Sequence, residues 1–362
     1  MSVPPIAIRA VHHVEIWAGN AKQAAYYYRK GFGFSQIAYA GLETGLQDRT
    51  SYCLAEGKVR LVLSSPLAPD GVMGQFLDRH GDGVRDIAFL VDDADAAFAL
   101  AVARGAEPLQ APIDRSDEHG SVRHAAIHTY GDVVHSFISL KDYQGCFLPG
   151  YREQRLEEAG FGFKLIDHIV GNVEEGKMDY WREWYERVLG WTQFLSFDDK
   201  DISTEFTALR SRVMASPTAN IRFPINEPAK GLKKSQIDEY LEFNGGAGSQ
   251  HIALLTGDII ATVSKLKAAG IDFLTVPGSY YDALPQRIGA IDEELSVLAK
   301  LGVLVDRDDK GYLLQLFTKP VEDRPTLFIE IIQRKGSNSF GKGNFRALFE
   351  SIEREQAKRG TL

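Results

Sequence analysis

The stretch Asp86-Ile87-Ala88-Phe89-Leu90 returns 165 positions later as His251-Ile252-Ala253-Leu254-Leu255, and the correspondence runs on without a gap for about 25 residues. It carries Asp93 onto Asp258, Ala103 onto Ala268, Gly105 onto Gly270, Leu109 onto Leu274 and Pro112 onto Pro277. Self-similarity of this kind means that one supersecondary unit is used more than once. Upstream, Val11-His12-His13-Val14 resembles Ile166-Asp167-His168-Ile169. Each is followed by an aromatic-rich helical stretch closing at glycine, Tyr28 to Gly33 and Tyr185 to Gly190. Near the end of each half, Phe137-Ile138-Ser139 resembles Phe328-Ile329-Glu330.

The chain therefore reads as two halves of one plan, each of two modules. A module begins with a short apolar strand, runs into a helix that stops at glycine, and continues into strand-like stretches such as Lys58 to Ser64 and Leu313 to Thr318. The segment Ile259 to Ala269 has apolar residues at helical spacing and Gly270 after it. The fold class is α+β. The first half occupies residues 1–150, residues 151–162 form a linker, and the second half occupies residues 163–362. Extra length in the second half falls after Pro277, in a helix-compatible insertion from Tyr280 to Asp309, and in a terminal amphipathic helix over about 343–359 with Phe345, Leu348, Phe349 and Ile352 on one face.

Composition bounds the function. The 362 residues suit two domains, and 44% apolar with 25% charged residues is ordinary globular usage. A net charge of −8 with no basic run argues against nucleic acid and anionic membranes and leaves a small molecule as the expected partner. Cys53 and Cys146 fit neither a zinc spacing nor a disulfide framework and read as two reduced thiols. The start Met1-Ser2-Val3-Pro4-Pro5 has no signal-peptide pattern and no apolar run nears the roughly 18 residues of a membrane span, so the expected location is the cytoplasm.

The repeat also isolates the chemistry. It sets His168, His251 and Glu330 of the second half against His13, Asp86 and Ser139 of the first. Two imidazoles and one carboxylate on three strands leave adjacent coordination positions open, the donor set of non-heme Fe(II) oxygenases, whereas zinc favours tetrahedral closure and has no redox chemistry. Serine is a poor ligand for a divalent metal, so the first half is expected to hold no metal and to serve structure and oligomerisation.

The second half closely resembles the 4-hydroxyphenylpyruvate dioxygenase family of the vicinal oxygen chelate superfamily. The resemblance rests on Leu165-Ile166-Asp167-His168-Ile169-Val170-Gly171-Asn172, Pro224-Ile225-Asn226-Glu227-Pro228, Lys234-Ser235-Gln236-Ile237, Asn244 through Ala253, Asp308 through Pro320, and Phe340-Gly341-Lys342-Gly343-Asn344-Phe345. It implies two tandem domains of two βαβββ modules each, the C-terminal one an open, barrel-like half-sheet around the metal with a C-terminal gating helix. It implies conversion of 4-hydroxyphenylpyruvate and dioxygen to homogentisate and carbon dioxide in tyrosine catabolism. One Fe(2+) per subunit would be held by His168, His251 and Glu330. The substrate's own keto acid would chelate it, so no 2-oxoglutarate is needed, and the assembly would be a homodimer or homotetramer.

The same resemblance implies a polar set of Ser211, Asn226, Gln236, Gln250 and Gln315. Gln315 would orient the keto-acid end, and Ser211, Asn226 and Gln250 the phenol end. Phe317, Phe328, Phe340 and Phe345 would wall the pocket, an apolar box suited to packing an aryl ring. Two rival readings are 4-hydroxymandelate synthase, which hydroxylates the benzylic carbon, and a non-catalytic binding protein on the same fold, whose expected mark is a lost metal ligand.

Overall fold

A computed structural model describes residues 4–199 and 203–362. The first half contributes β1 (Ile8–Trp17), β2 (Ser35–Ala40), β3 (Arg49–Glu56), β4 (Val59–Pro66), β5 (Gly83–Val91), β6 (Pro108–Asp117), β7 (Gly120–His128) and β8 (Val134–Ser139), with β9 (Arg152–Leu156) added at the edge. The second contributes β10 (Phe163–Asn172), β11 (Thr192–Phe197), β12 (Ala208–Ala215), β13 (Arg222–Ala229), β14 (Gly248–Thr256), β15 (Leu304–Asp308), β16 (Gly311–Phe317) and β17 (Phe328–Lys335).

Their orders match strand for strand. The first sheet runs β6-β7-β8-β5-β1-β4-β3-β2-β9 and the second β15-β16-β17-β14-β10-β13-β12-β11. In each, the first strands of the two modules pair antiparallel at the centre and each module's last strand joins in parallel. The central strands β5 and β14 are buried along nearly their whole length; each is apolar in its second half, from Ile87 and from Ile252, as a strand covered on both faces requires, and carries its polar residues in its first half. The second sheet curls into a half-barrel, so that residues from β10, β12, β13, β14, β16 and β17 face one cavity. Aromatic packing joins the halves: Phe34 stacks on Phe163 at 5.5 Å, and Phe89 stacks on Phe223 at 6.0 Å.

The second module's helix is Ile259–Ala268, and the terminal helix is Phe345–Arg359. Three details differ from the reading of the sequence. Within the stretch read as a linker, Arg152–Leu156 pairs with β2 and extends the first sheet. Within the stretch read as an insertion, only three short helices up to Leu301 are extra, because Leu304–Asp308 is β15, the counterpart of β6. The third concerns Glu330. Asp86 pairs with Val134 as His251 pairs with Phe328, and Glu330 pairs with Ala253, the counterpart of Ala88. The residue in the place of Glu330 is thus Ser136, not Ser139. The likeness of Phe137-Ile138-Ser139 to Phe328-Ile329-Glu330 is out of register by three residues, and an odd slip moves a side chain to the other face of the strand. Ser139 donates to the Asp92 carbonyl at 2.7 Å, whereas Ser136 meets Asp86.

Candidate metal centre and cavity

Two interruptions of the ladder between β10 and β14 aim the polar groups. The pairing steps from Ile166–Leu254 to His168–Ala253, leaving Asp167 as an extra residue, and from Val170–His251 to Gly171–Ser249, leaving Gln250 as another. A bulge of this kind re-aims side chains that would otherwise alternate. The first half keeps both interruptions, at His12 and at Arg85.

His168 from β10, His251 from β14 and Glu330 from β17 bring their donor atoms within 4.8 Å of one another, all three side chains buried. His168 Nε2 is 3.1 Å and His251 Nε2 3.3 Å from the same Glu330 oxygen. The other ring nitrogens set the tautomers: His168 Nδ1 donates to Asp167 at 2.8 Å, and His251 Nδ1 faces the Gln250 carbonyl oxygen at 3.4 Å. Each Nε2 lone pair is thereby left toward the centre, the arrangement of metal-ligating imidazoles. His251 Nε2 and Glu330 Oε1 are buried without a hydrogen-bond partner. Buried polar atoms rarely stay unpaired, and a divalent cation satisfies both. The donor set and its orphaned atoms fit iron.

Electrostatics agree with a cation site. Burial pushes the Glu330 carboxyl up, but His168 and then His251 outweigh it and hold its pKa down at about 2. Burial depresses the His251 imidazolium. Burial also works against the His168 imidazolium, but Glu330 and Asp167 on either side overcome it, and its pKa is raised. Arg334 fixes this arrangement from behind by binding both oxygens of Asp167 at 2.7 Å.

The triad closes one end of a cavity lined also by Ser211, Asn226, Gln236 and Gln250 and by Phe317, Phe328, Phe340 and Phe345. Phe328 stacks on His251 at 4.7 Å and Phe340 meets His168 edge-on at 5.0 Å. Asn226 stands opposite Ser211 across β12 and β13 and donates to Asn172 at 3.4 Å. Gln236 is the first residue of the helix Gln236–Asn244, which Ser235 caps. Gln315 is buried two positions before Phe317 but is not among the lining residues. It packs instead on Gly341, where a Cβ would fall 2.5 Å from Nε2.

The reading of the sequence missed Val170, Phe197, Leu209, Val213 and Pro224, which complete the apolar wall. Their signal was a strand pattern shared with ordinary core, since only the curl of the sheet turns that face into a cavity. Asp167 and Arg334 were also missed as supports of His168; the acid beside the histidine was visible, but its partner lies 167 residues away. The terminal helix lays Phe345, Leu348 and Phe349 across the mouth. Its far end is tied down where Arg359 grips both oxygens of Glu239 and Thr207 donates to Glu353 at 2.6 Å.

Comparison with known proteins places this geometry. Models of the Glyoxalase/Bleomycin resistance protein/Dioxygenase superfamily match residues 160–316 and 12–123. The 4-hydroxyphenylpyruvate dioxygenase of Neurospora crassa is 48% identical over 97% of this chain and 92% of its own length, and that of Danio rerio 47% identical over 97% and 91%. A solved triple mutant of 4-hydroxymandelate synthase from Streptomyces coelicolor superposes with a TM-score of 0.86 at 33% identity, covering 98% of this chain and all of its own.

Proposed function

The chain belongs to the 4-hydroxyphenylpyruvate dioxygenase family, and from that premise we propose how its own residues serve the reaction. It is a non-heme iron dioxygenase of tyrosine catabolism that converts 4-hydroxyphenylpyruvate and dioxygen to homogentisate and carbon dioxide. The observation that carries the assignment of residues is the convergence of two imidazoles and a carboxylate, two of their atoms unpaired, at the end of one aromatic cavity.

His168, His251 and Glu330 would hold one Fe(II) per subunit. When bound, Fe(II) supplies chelation of the keto acid and a site at which dioxygen is activated. The chain's own work is binding and exclusion. Phe317 and Phe328 pack against the His251 face of the site, and with Phe340 and Phe345 they hold the aryl ring by offset and edge-on contacts. Ser211, Asn226, Gln236 and Gln250 supply hydrogen bonds in an otherwise apolar box, with Ser211, Asn226 and Gln250 at the phenol end. Gln315 acts on the keto-acid end through the loop at Gly341, on which it packs. The terminal helix is the lid. Closing it removes water, which strengthens every polar contact inside and protects a reactive oxidant. Two free cysteines accord with a cytoplasmic enzyme, and the family resemblance with a homodimer or homotetramer.

Oxygen uptake by the Fe(II)-loaded protein with 4-hydroxyphenylpyruvate, followed by identification of the aromatic product, tests this reading. Homogentisate in step with oxygen supports it. Hydroxymandelate would move the enzyme to the reaction named for its structural relative, and no uptake with iron bound would overturn the activity.

A further inference from the structure

The first half has its own cavity in the position that the metal centre occupies in the second, about 270 Å³ in volume and lined by charged groups instead of phenylalanines. His13, Asp86 and Ser136 stand where His168, His251 and Glu330 stand. They do not make a metal site: Asp86 accepts from the backbone and the hydroxyl of Ser136, and His13 Nδ1 is bonded to His12 Nδ1 at 2.8 Å. The cavity has been refitted, and its charges show for what.

Arg49, Arg85 and Arg115 line it. Arg85 is engaged, lying over the Trp17 ring at 4.8 Å and donating to the Asp132 carbonyl. The other two are not. Among the described residues no carboxylate lies within salt-bridge distance of Arg115, and Arg49 reaches only Asp48, at 3.8 Å. Arg49 Nε and His124 Nδ1 are buried with no hydrogen-bond partner. The guanidiniums of Arg49 and Arg115 are close enough to repel, which after burial is the next cause of the lowered pKa of Arg115. Two cations held together with a single long carboxylate contact between them, beside buried unpaired nitrogens, are an unfavourable arrangement that a bound carboxylate would relieve. Glu15 and Asp86 do not neutralise them fully. Glu15 accepts from Ser64 at 2.6 Å, and burial raises Asp86 to a pKa of about 7, so it is partly protonated at neutral pH.

One strip of the wall is apolar, from Val122 and Ile138 inside to Leu109, 43% exposed at the mouth. An inorganic dianion would leave that wall unused and set two negative charges near Glu15 and Asp86. We propose that the first half binds a small monocarboxylate with a flat apolar body, its carboxylate between Arg49 and Arg115 and its body against Leu109, Val122 and Ile138, at a non-catalytic site that the repeat has kept as a cavity without the metal-binding triad.

Equilibrium dialysis of labelled phenylacetate against the Fe(II)-loaded enzyme tests the proposal. Wild-type enzyme should bind saturably. Arg49→Gln and Arg115→Gln should each weaken that binding about tenfold or more, as should Leu109→Trp, which fills the mouth without altering charge. All three should retain oxygen uptake with 4-hydroxyphenylpyruvate, so a failure here is separate from a failure of the catalytic assignment. Benzylamine, of the same shape and opposite charge, should not compete. Binding unaffected in all three variants, binding lost only in the catalytic-cavity variant Phe345→Ala, or displacement by inorganic phosphate as readily as by phenylacetate would each overturn it.

Discussion

Arg334 on β17 donates two hydrogen bonds of 2.7 Å to Asp167 on β10, across the intervening strand β14, and Asp167 accepts from His168. A metal-binding histidine is oriented by what its other nitrogen touches, and loss of that partner typically lowers metal affinity about 10- to 100-fold. Arg334→Met should therefore weaken iron binding by that order. It should also cost about 3 kcal/mol of stability, because it strands a buried carboxylate. The double variant Asp167→Asn/Arg334→Met should regain most of the stability and none of the iron affinity. Iron titration with denaturant unfolding reads both, and recovery of the two together would show that the pair does not act through His168.

The ligands themselves should behave as a unit. His168→Ala, His251→Ala and Glu330→Ala should each leave the purified protein with little iron and no homogentisate formation, since each removes one of three donors. Retention of iron and product by any one of them removes that residue from the centre.

Phe345 meets Phe197 edge-on at 5.1 Å, and both line the cavity. Truncation opens the lid face without touching a ligand. Phe345→Ala should raise the KM for 4-hydroxyphenylpyruvate roughly tenfold, the equivalent of about 1.4 kcal/mol, with iron content unchanged. Loss of iron would place this residue in support of the metal instead.

How far the sequence foretold these relations depended on what each required. The repeat was legible because Asp86 to Pro112 and His251 to Pro277 match without a gap, and it yielded the modules and His168 and His251 from local pattern alone. Ser136 was not legible as the counterpart of Glu330, since strand register is decided by pairing partners and the nearby Phe-Ile-Ser triplet imitates the wrong alignment. Arg334 and the apolar wall depend on contacts across strands and on sheet curvature, which no local pattern encodes. The charged cavity of the first half was invisible for the same reason: Arg49, Arg85 and Arg115 come from three strands.

Gly341 has φ of 76°, a left-handed backbone, and a Cβ there would meet the Gln315 carboxamide at 2.5 Å. Gly341→Ala should cost about 1–3 kcal/mol through the backbone alone and push Gln315 off its position. The kcat should fall while iron binding persists. Pairing it with Gln315→Ala, which empties the space, should recover part of the stability; no recovery would mean that the two do not touch.

Asp86 should make stability depend on pH. Its carboxyl is buried and its pKa stands at about 7, raised chiefly by desolvation, against 3.8 for the free side chain. Below pH 4 both folded and unfolded chains hold the proton and Asp86 costs nothing. Between about pH 4 and 7 the unfolded chain ionises first, so its stabilising release of a proton is denied to the folded chain and stability falls as pH rises, levelling above 7. Asp86→Asn keeps an acceptor for Ser136 and abolishes the titration. The variant's stability advantage over the wild type should be roughly 2–3 kcal/mol greater at pH 8 than at pH 5, from about 1.4 kcal/mol per pKa unit. Denaturant unfolding of both proteins at the two pH values measures it. An equal difference at both would mean that Asp86 is already ionised in the folded protein, held so by Arg85.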